Sequence, residues 1–250
     1  MHRVRVSVAE GVLDANDTIA AANRADFDRA GVRVVNLMSA PGAGKTSLLE
    51  RALADGSRRP QAAASGRDSS AGGGAVEDGL GEVRVGVLEG DVQGSLDAER
   101  IASLHVPVTQ LNTAPGFGGE CHLDANMVRS ALPAVPLDEI DLLIIENVGN
   151  LVCPAEFRVG EDARAMVSSV AEGEDKPLKY PLMFRACELV VINKIDLLPH
   201  LDFSLEQFLE NLDRVNPGAS HLLVSARTGE GVDAFAGWLA SVASRETAAV

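Results

Sequence analysis

One eight-residue segment constrains the fold of this 250-residue chain more than any other: Ser39-Ala40-Pro41-Gly42-Ala43-Gly44-Lys45-Thr46. It follows a short apolar run and precedes a helical pattern, and in such a strand–loop–helix unit backbone N–H groups and the helix dipole face an anion. Gly42 and Gly44 let the backbone close around phosphates. Lys45 is placed to reach the β- and γ-phosphates, and Thr46 offers a hydroxyl to Mg²⁺. The segment predicts a site for a nucleoside triphosphate.

Short apolar runs recur along the chain with helical segments between them, at residues 34–38, 83–88, 106–111, 142–145, 189–192 and 222–224. Short β-branched runs that alternate with helices are typical of βαβ units. Such units build a mainly parallel sheet that is buried on both faces. We therefore predict an α/β fold of the P-loop NTPase class, with helices on both faces of the sheet.

A second motif, Asn193-Lys194-Ile195-Asp196, directly follows the apolar run 189–192 and selects the base. The Asp196 carboxylate can accept hydrogen bonds from guanine N1–H and N2–H₂, whereas adenine offers no such pair of donors. Lys194 would lay its aliphatic stem over the ring, and Asn193 would tie this loop to the phosphate loop. Ser225-Ala226 follows the last run, where a backbone N–H can read guanine O6. The order of these motifs predicts GTP and GDP as ligands, against the alternative of a chance match at a strand end. The predicted nucleotide-binding residues are Pro41, Gly42, Ala43, Gly44, Lys45, Thr46, Ser47, Asn193, Lys194, Asp196, Ser225 and Ala226.

Two carboxylates stand at the ends of apolar runs, where open α/β sheets bind their ligands. Asp91 closes the second run and Glu146 closes the fourth. Together with the Thr46 hydroxyl they would hold Mg²⁺, which prefers one or two carboxylates and phosphate oxygens. A turn cap at Asp91 and a solvated strand end at Glu146 are the alternatives. The amide of Gly149 could read the γ-phosphate, so we expect Lys45, Glu146 and Gly149 to be the catalytic residues. No obvious Gln or Arg finger is present, which predicts slow intrinsic hydrolysis.

The chain divides into an N-terminal helical segment, residues 1–31, and a P-loop GTPase domain, residues 32–245. The helical pattern ends at Gly31, and we expect this segment to pack on the domain. Residues 55–82 are mostly Gly, Ala and Ser. Such a stretch buries too little apolar surface to offset its ordering entropy, so we predict a disordered surface insertion, with a partner-binding arm as the alternative.

Cysteine and histidine indicate a second chemistry. Cys121-His122 is an adjacent pair, and Cys153 lies four residues beyond Gly149. Thiolates and an imidazole suit Zn²⁺ or Ni²⁺. The spacing alone leaves the question open, because it matches no standard zinc-finger spacing and a buried cysteine is often a small hydrophobe. We interpret Cys187, which precedes an apolar run, as structural.

Taken together, these segments resemble the hydrogenase nickel-incorporation GTPase family, HypB. The resemblance covers about residues 10–240 apart from the insertion, and it rests on residues 36–46, Glu89-Gly90-Asp91, Cys121-His122-Leu123-Asp124-Ala125, Glu146-Asn147-Val148-Gly149-Asn150-Leu151-Val152-Cys153-Pro154 and the Asn193–Asp196 motif.

The resemblance implies a GTPase that delivers nickel to a hydrogenase large-subunit precursor together with other maturation proteins. It also implies that Cys121, His122 and Cys153 bind Ni²⁺ or Zn²⁺ at the interface of a homodimer. Ser39, in place of the usual first Gly, is shared with that family. Neither an N-terminal cysteine-rich motif nor a histidine-rich stretch is present, since no Cys precedes Cys121 and His2 is the only His before His105.

Composition limits the partners. The net charge of −14 and a pI near 4.7 argue against binding to nucleic acid or to an anionic membrane. No apolar run reaches the roughly 18 to 20 residues of a membrane span. No secretory signal is visible, and three cysteines do not suggest a disulfide framework, so we expect a cytoplasmic protein.

Two alternative functions stay open. One is a urease-type nickel chaperone of the same GTPase class, which the Glu146–Pro154 segment and the Cys121-His122 pair disfavour. The other is a metal-sequestering protein that binds nucleotide with little turnover.

Overall fold

The computed structural model describes residues 8–56, 80–91, 96–113 and 121–245. The described residues form a parallel sheet of seven strands in the order β3-β2-β4-β1-β5-β6-β7. The strands are β1 (Arg33–Ser39), β2 (Val85–Asp91), β3 (Val108–Asn112), β4 (Leu142–Glu146), β5 (Ala163–Ser169), β6 (Leu189–Asn193) and β7 (Ser220–Leu223).

Helices connect the strands and cover the sheet. They are α1 (Val8–Ala30), α2 (Lys45–Gly56), α3 (Leu96–Ala102), α4 (Ala125–Ala131), α5 (Cys153–Glu156), α6 (Lys176–Lys179), α7 (Pro181–Ala186), α8 (Leu205–Val215) and α9 (Val232–Ala243). Short 3₁₀ turns lie at Leu132–Ala134, Val170–Glu172 and Ile195–His200. The predicted α/β fold with helices on both faces is confirmed.

The alternation of β1 shows how the sheet builds its core. Its side chains Val35 and Leu37 pack with Leu48 of α2 and Phe235 of α9 on one face of the sheet. On the other face, Val34 packs with Phe27 of α1. Every residue of β1 is buried, as expected for a central parallel strand. The strand therefore holds the loop that follows it between two rigid layers.

Strand β5 was missed by the sequence analysis because polar side chains interrupt its short apolar stretch. Arg164 is buried next to Glu161 and donates to the carbonyls of Ala155 and Phe157. Ser169 caps the following 3₁₀ turn. These polar groups find partners only in the folded chain, so their burial cannot be read from local hydropathy.

Helix α1 ends where the sequence analysis expected, because Gly31 adopts a positive φ of 72°. The helix contacts α4 and β1. Its Asn23 is fully buried, and Nδ2 donates to the carbonyl oxygens of Ala125 at 2.8 Å and of Val159 at 3.1 Å. One side chain thereby connects α1 to the first residue of α4 and to the loop before β5.

The two ends of the predicted insertion belong to the folded domain. Helix α2 extends to Gly56, and Leu80 is buried against the same core as Leu48. Residues 57–79 lie outside the described part of the chain, so the predicted disorder there stays a prediction.

Replacing Asn23 by Ala should lower the free energy of unfolding by roughly 2 to 4 kcal/mol, because two buried carbonyls lose their donor. Urea unfolding followed by circular dichroism measures this change. The matched control is Asp17→Ala on the exposed side of the same helix, which should change stability by less than about 0.5 kcal/mol. Equal effects of the two substitutions would contradict the role assigned to Asn23.

Candidate functional site

A cavity of about 600 Å³ opens at the carboxyl ends of β1, β2 and β4. The loop after β1 and the first turn of α2 form one wall, and the ends of β2 and β4 form the other. Seven charged side chains line it: Lys45, Glu89, Asp91, Asp97, Arg100, Glu146 and Lys194. We call it the phosphate cavity, because it contains the predicted phosphate-binding loop.

The phosphate loop has the backbone that its glycines predict. Gly42 and Gly44 have φ values of 73° and 98°, which an L side chain rarely adopts. Ser39, at the usual position of a glycine, has no positive φ and is fully buried. Its Oγ accepts a hydrogen bond of 2.8 Å from Lys45 Nζ. Ser39 thus orients the lysine predicted to contact the phosphates.

Burial dominates the electrostatics of Lys45. It lowers the pKa of Lys45 from its ordinary value, and the carboxylates of Glu146 and Asp97 act in the opposite direction. The ammonium group of Lys45 is held by Ser39 and lines the phosphate cavity, where it can bind an anionic ligand.

The hydroxyl of Thr46 lies between two carboxylates. Its Oγ1 is 2.7 Å from Glu146 Oε1 and 3.1 Å from Asp97 Oδ2. The sequence analysis predicted Thr46, Glu146 and Asp91 at this position, and all three line the cavity. It missed Asp97, which lies in the first turn of α3, six residues beyond the end of β2. The sequence signal that could have identified Asp97 is a carboxylate shortly after the end of an apolar run.

Two buried glutamates lie side by side beneath the phosphate loop. Glu89 of β2 is in register with Glu146 of β4, and both are less than 5% exposed. Burial, and next the charge of Glu146, raises the pKa of Glu89 to about 8. Burial also raises the pKa of Glu146, with Lys45 acting against it. From the sequence, Glu89 has no predicted role beyond its place in the Glu89-Gly90-Asp91 motif.

The segment that follows β4 contacts the phosphate loop. A Cβ added to Gly149 would lie 3.0 Å from Pro41 Cα, so only glycine allows this close approach. Both residues line the phosphate cavity. Gly149 therefore lies against the phosphate loop, and its contact with the γ-phosphate stays a prediction.

A second cavity, of about 560 Å³, adjoins the phosphate loop at the carboxyl end of β6. Asn193 Nδ2 donates to the Ala43 carbonyl at 2.9 Å, which is the predicted tie between the two loops. A Cβ at Gly44 would lie 2.6 Å from this nitrogen, so the tie requires glycine at that position. Lys194 adopts a positive φ of 65°, and its Nζ donates to the Gly42 carbonyl at 2.7 Å.

Asp196 lines this second cavity with a carboxylate that is held ionised. Ser225 Oγ donates to Asp196 Oδ1 at 2.6 Å, and Arg227 lies 3.6 Å from Oδ2. The hydrogen bond from Ser225 holds the pKa of Asp196 below its ordinary value. The Ala226 N–H, which the sequence analysis expected to read guanine O6, donates to Asn193 Oδ1 at 3.1 Å. Ser225 therefore positions the carboxylate that is predicted to bind the base, and no role for Arg227 was predicted from the sequence.

The three predicted soft ligands come together from two different loops. Cys121 and His122 precede α4, and Cys153 is the first residue of α5. The two Sγ atoms lie 3.3 Å apart, Cys121 Sγ lies 3.9 Å from His122 Nδ1, and one ligand atom from each residue fits within 4.8 Å. Contact with the Cys121 thiol raises the pKa of Cys153. Two sulfurs and one imidazole form a donor set for a soft or borderline divalent metal.

The third cysteine takes no part in this group. Cys187 is buried, its Sγ lies 3.1 Å from the Met183 carbonyl, and burial raises the pKa of its thiol to about 12. An inert thiol in the core agrees with the structural role that the sequence analysis gave it.

Asn147 connects the predicted metal ligands to the phosphate cavity. Its Oδ1 accepts hydrogen bonds from the N–H groups of Leu123 at 2.9 Å and Val148 at 3.0 Å, and the residue is 1% exposed. Leu123 directly follows His122, and its side chain fills the space that Gly90 leaves open, where a Cβ would lie 2.6 Å from Leu123 Cδ1. The loop of Cys121 and His122 therefore rests on the ends of both β2 and β4. The sequence analysis did not predict this connection.

Among the described residues, no helix is both long and apolar enough to cross a bilayer.

The family model described as "CobW/HypB/UreG, nucleotide-binding domain" matches residues 78–222. The hydrogenase maturation factor HypB of Rhizobium leguminosarum bv. viciae is 46% identical over 240 residues, which cover 96% of this chain and 71% of that protein.

Two solved structures share the architecture. HypB from Helicobacter pylori in complex with nickel superposes with a TM-score of 0.76 at 32% identity, over 94% of this chain and 100% of that one. Hydrogenase maturation factor HypB from Archaeoglobus fulgidus gives a TM-score of 0.75 at 32% identity, over 92% of this chain and 99% of that one. The chain belongs to the HypB family of hydrogenase maturation factors.

Proposed function

We propose that this chain is a GTP-hydrolysing metallochaperone that binds Ni²⁺ or Zn²⁺ at Cys121, His122 and Cys153. Its GTP cycle would support nickel insertion into the large-subunit precursor of a [NiFe]-hydrogenase, together with other maturation proteins. One observation carries the proposal: Asn147 hydrogen-bonds the loop of the soft ligands to the strand end that borders the phosphate cavity. A protein that only stores metal or only hydrolyses nucleotide has no need of that connection.

The choice of guanine rests on Asp196. Its ionised carboxylate lines the second cavity and has the geometry to accept from two donors on one edge of a base. Guanine presents two such donors, and adenine does not. Lys194, fixed by the Gly42 carbonyl, lies beside the same cavity and can cover the ring.

The phosphate cavity suits Mg²⁺ as the partner of the nucleotide. Its donors are oxygens, from the Thr46 hydroxyl and from carboxylates that include Asp91 and Glu146. Glu146 Oε2 is buried and has no hydrogen-bond partner within the described part of the chain. Hard oxygen donors and a free carboxylate oxygen fit Mg²⁺. Bound there, the ion would neutralise phosphate charge during hydrolysis.

The group of Cys121, His122 and Cys153, here called the metal group, supports a homodimer as the functional oligomeric state. Three ligands leave a four-coordinate ion incomplete, and Cys121 is exposed, so a second copy of the chain can approach it. Ligand thiols must also stay reduced, which favours a cytoplasmic location.

The two rivals differ from this proposal in turnover and in client. A metal-sequestering protein would release little phosphate from GTP, so phosphate release measured with and without Ni²⁺ separates it. A urease-type chaperone would raise nickel occupancy in a urease precursor rather than in a hydrogenase precursor. Nickel content of each purified precursor, after incubation with the loaded protein, separates the two.

Asp196→Asn should weaken GTP binding by roughly 2 to 4 kcal/mol, because a guanine donor then faces an amide N–H. The same variant should gain affinity for xanthosine triphosphate, whose C2 oxygen can accept from the new amide. Titration calorimetry with both nucleotides measures the exchange. Asp202→Asn, an exposed carboxylate outside the two cavities, is the matched control and should leave both affinities unchanged. Unchanged GTP affinity in Asp196→Asn would remove this residue from the site.

Lys45→Ala should lower the rate of GTP hydrolysis by at least about 100-fold, because the charge beside the transferring phosphoryl group is lost. Phosphate release under single-turnover conditions measures the rate. Binding of Ni²⁺ to the nucleotide-free variant should be nearly intact, which also shows that the chain is folded. Lys179→Ala, on an exposed helix, serves as the control. Full activity of Lys45→Ala would contradict the assignment.

A further inference from the structure

Glu89 is a buried carboxylate at the border of the phosphate cavity to which the proposed function gives no role. It is 3% exposed, and its Oε2 atom has no hydrogen-bond partner within the described residues. An unpartnered buried carboxylate is costly, and packing alone does not offset that cost. Glu89 lines the cavity that the phosphates would enter.

The register of the sheet points Glu89 and Glu146 in the same direction. They are paired across β2 and β4, and paired residues of adjacent strands lie about 4.8 Å apart. Val87 and Ile144, two residues earlier in each strand, pack in the core on the α2 side. Because side chains alternate, both glutamates lie on this side, facing the start of α2. Each glutamate has one oxygen without a partner.

The charges of the cavity require a cation when a nucleotide binds. Four carboxylates line it, from Glu89, Asp91, Asp97 and Glu146, against three basic side chains. Of the basic groups, Arg100 is paired with Glu50, and Lys194 is bonded to the phosphate-loop backbone. A triphosphate adds several negative charges to this balance. A divalent cation with oxygen ligands is the partner that offsets both the phosphates and the paired glutamates.

We propose that Glu89 is a second carboxylate for the divalent cation of the nucleotide site and that it contacts, beside Glu146, either the ion or a water molecule in its shell. The inference rests on the proposed nucleotide site and adds a residue to it. It makes Glu89 a determinant of how strongly Mg²⁺ increases nucleotide affinity.

The experiment titrates a fluorescent, non-hydrolysable GTP analogue into the full chain, once in EDTA and once in saturating Mg²⁺. The ratio of the two affinities is the gain due to Mg²⁺. We compare the wild type, Glu89→Gln, Glu89→Asp and the control Glu172→Gln. Glu172 is half-buried, and its Oε2 atom also lacks a hydrogen bond, but it lies outside the phosphate cavity, with this oxygen 3.7 Å from Lys176 Nζ.

In Glu89→Gln, the gain due to Mg²⁺ should fall by at least about tenfold, which corresponds to 1.4 kcal/mol. In EDTA the same variant should bind the analogue about as tightly as the wild type, because Gln has nearly the size and shape of Glu and no ion is present for the carboxylate to bind. Glu89→Asp should keep more of the gain than Glu89→Gln, and Glu172→Gln should keep all of it. Thermal unfolding of Glu89→Gln without nucleotide should occur near the wild-type temperature, because Gln has nearly the size and shape of Glu and the Oε2 atom of Glu89 has no hydrogen bond to lose.

Two results would overturn the role of Glu89 alone: a gain in Glu89→Gln equal to that of the wild type, or a loss of affinity in EDTA as large as the loss in Mg²⁺. A wild-type chain that binds the analogue equally with and without Mg²⁺, or does not bind it, would overturn this role and the proposed nucleotide site together.

Discussion

The hydrogen bonds of the Asn147 side chain join the loop of Cys121 and His122 to the end of β4. Asn147 directly follows Glu146, whose Oε1 atom accepts a hydrogen bond from the Thr46 hydroxyl. The Oδ1 atom of Asn147 accepts a hydrogen bond from the N–H of Val148. Its Oδ1 also accepts the N–H of Leu123, next to His122. Asn147 is 1% exposed, so water cannot replace these hydrogen bonds. A shift of the end of β4 must therefore either move the loop of Cys121 and His122 or break the bonds.

A second contact strengthens the connection from the neighbouring strand. Leu123 occupies the space above Gly90, and Gly90 stands between Glu89 and Asp91 at the end of β2. A phosphate or a cation that moves either strand end therefore acts on the same leucine. Cys153 lies on the other side of the metal group, four residues beyond Gly149, whose backbone abuts Pro41. The loop of Cys121 and His122 is thus joined to the walls of the phosphate cavity by the buried residues Asn147 and Leu123, and Cys153 is joined to them by the segment that follows Gly149.

The parts that the sequence predicted well are those whose chemistry lies within one continuous segment. The phosphate loop and the Asn193–Asp196 motif each contain their own donors, acceptors and turn residues, and each follows an apolar run. What the sequence could not show depends on which strands become neighbours. Glu89 lies beside Glu146 because β2 and β4 pair in the sheet. Asn147 connects two loops because it accepts a hydrogen bond from Leu123, 24 residues earlier in the chain. Strand β5 was missed for another reason, because the partners of its buried Arg164 lie in the segment just before the strand, whose conformation local hydropathy does not show.

If the nucleotide site and the proposed metal site act on each other, Ni²⁺ affinity must differ between the two nucleotide states. We expect the affinities of the GDP-bound and GTP-analogue-bound protein to differ by about 5- to 150-fold, the range that a coupling of 1 to 3 kcal/mol produces. Cys153→Ala should abolish the difference and leave GTP binding intact. Equal Ni²⁺ affinities in both nucleotide states of the wild type would contradict this coupling, because the two sites would then share a chain without acting on each other.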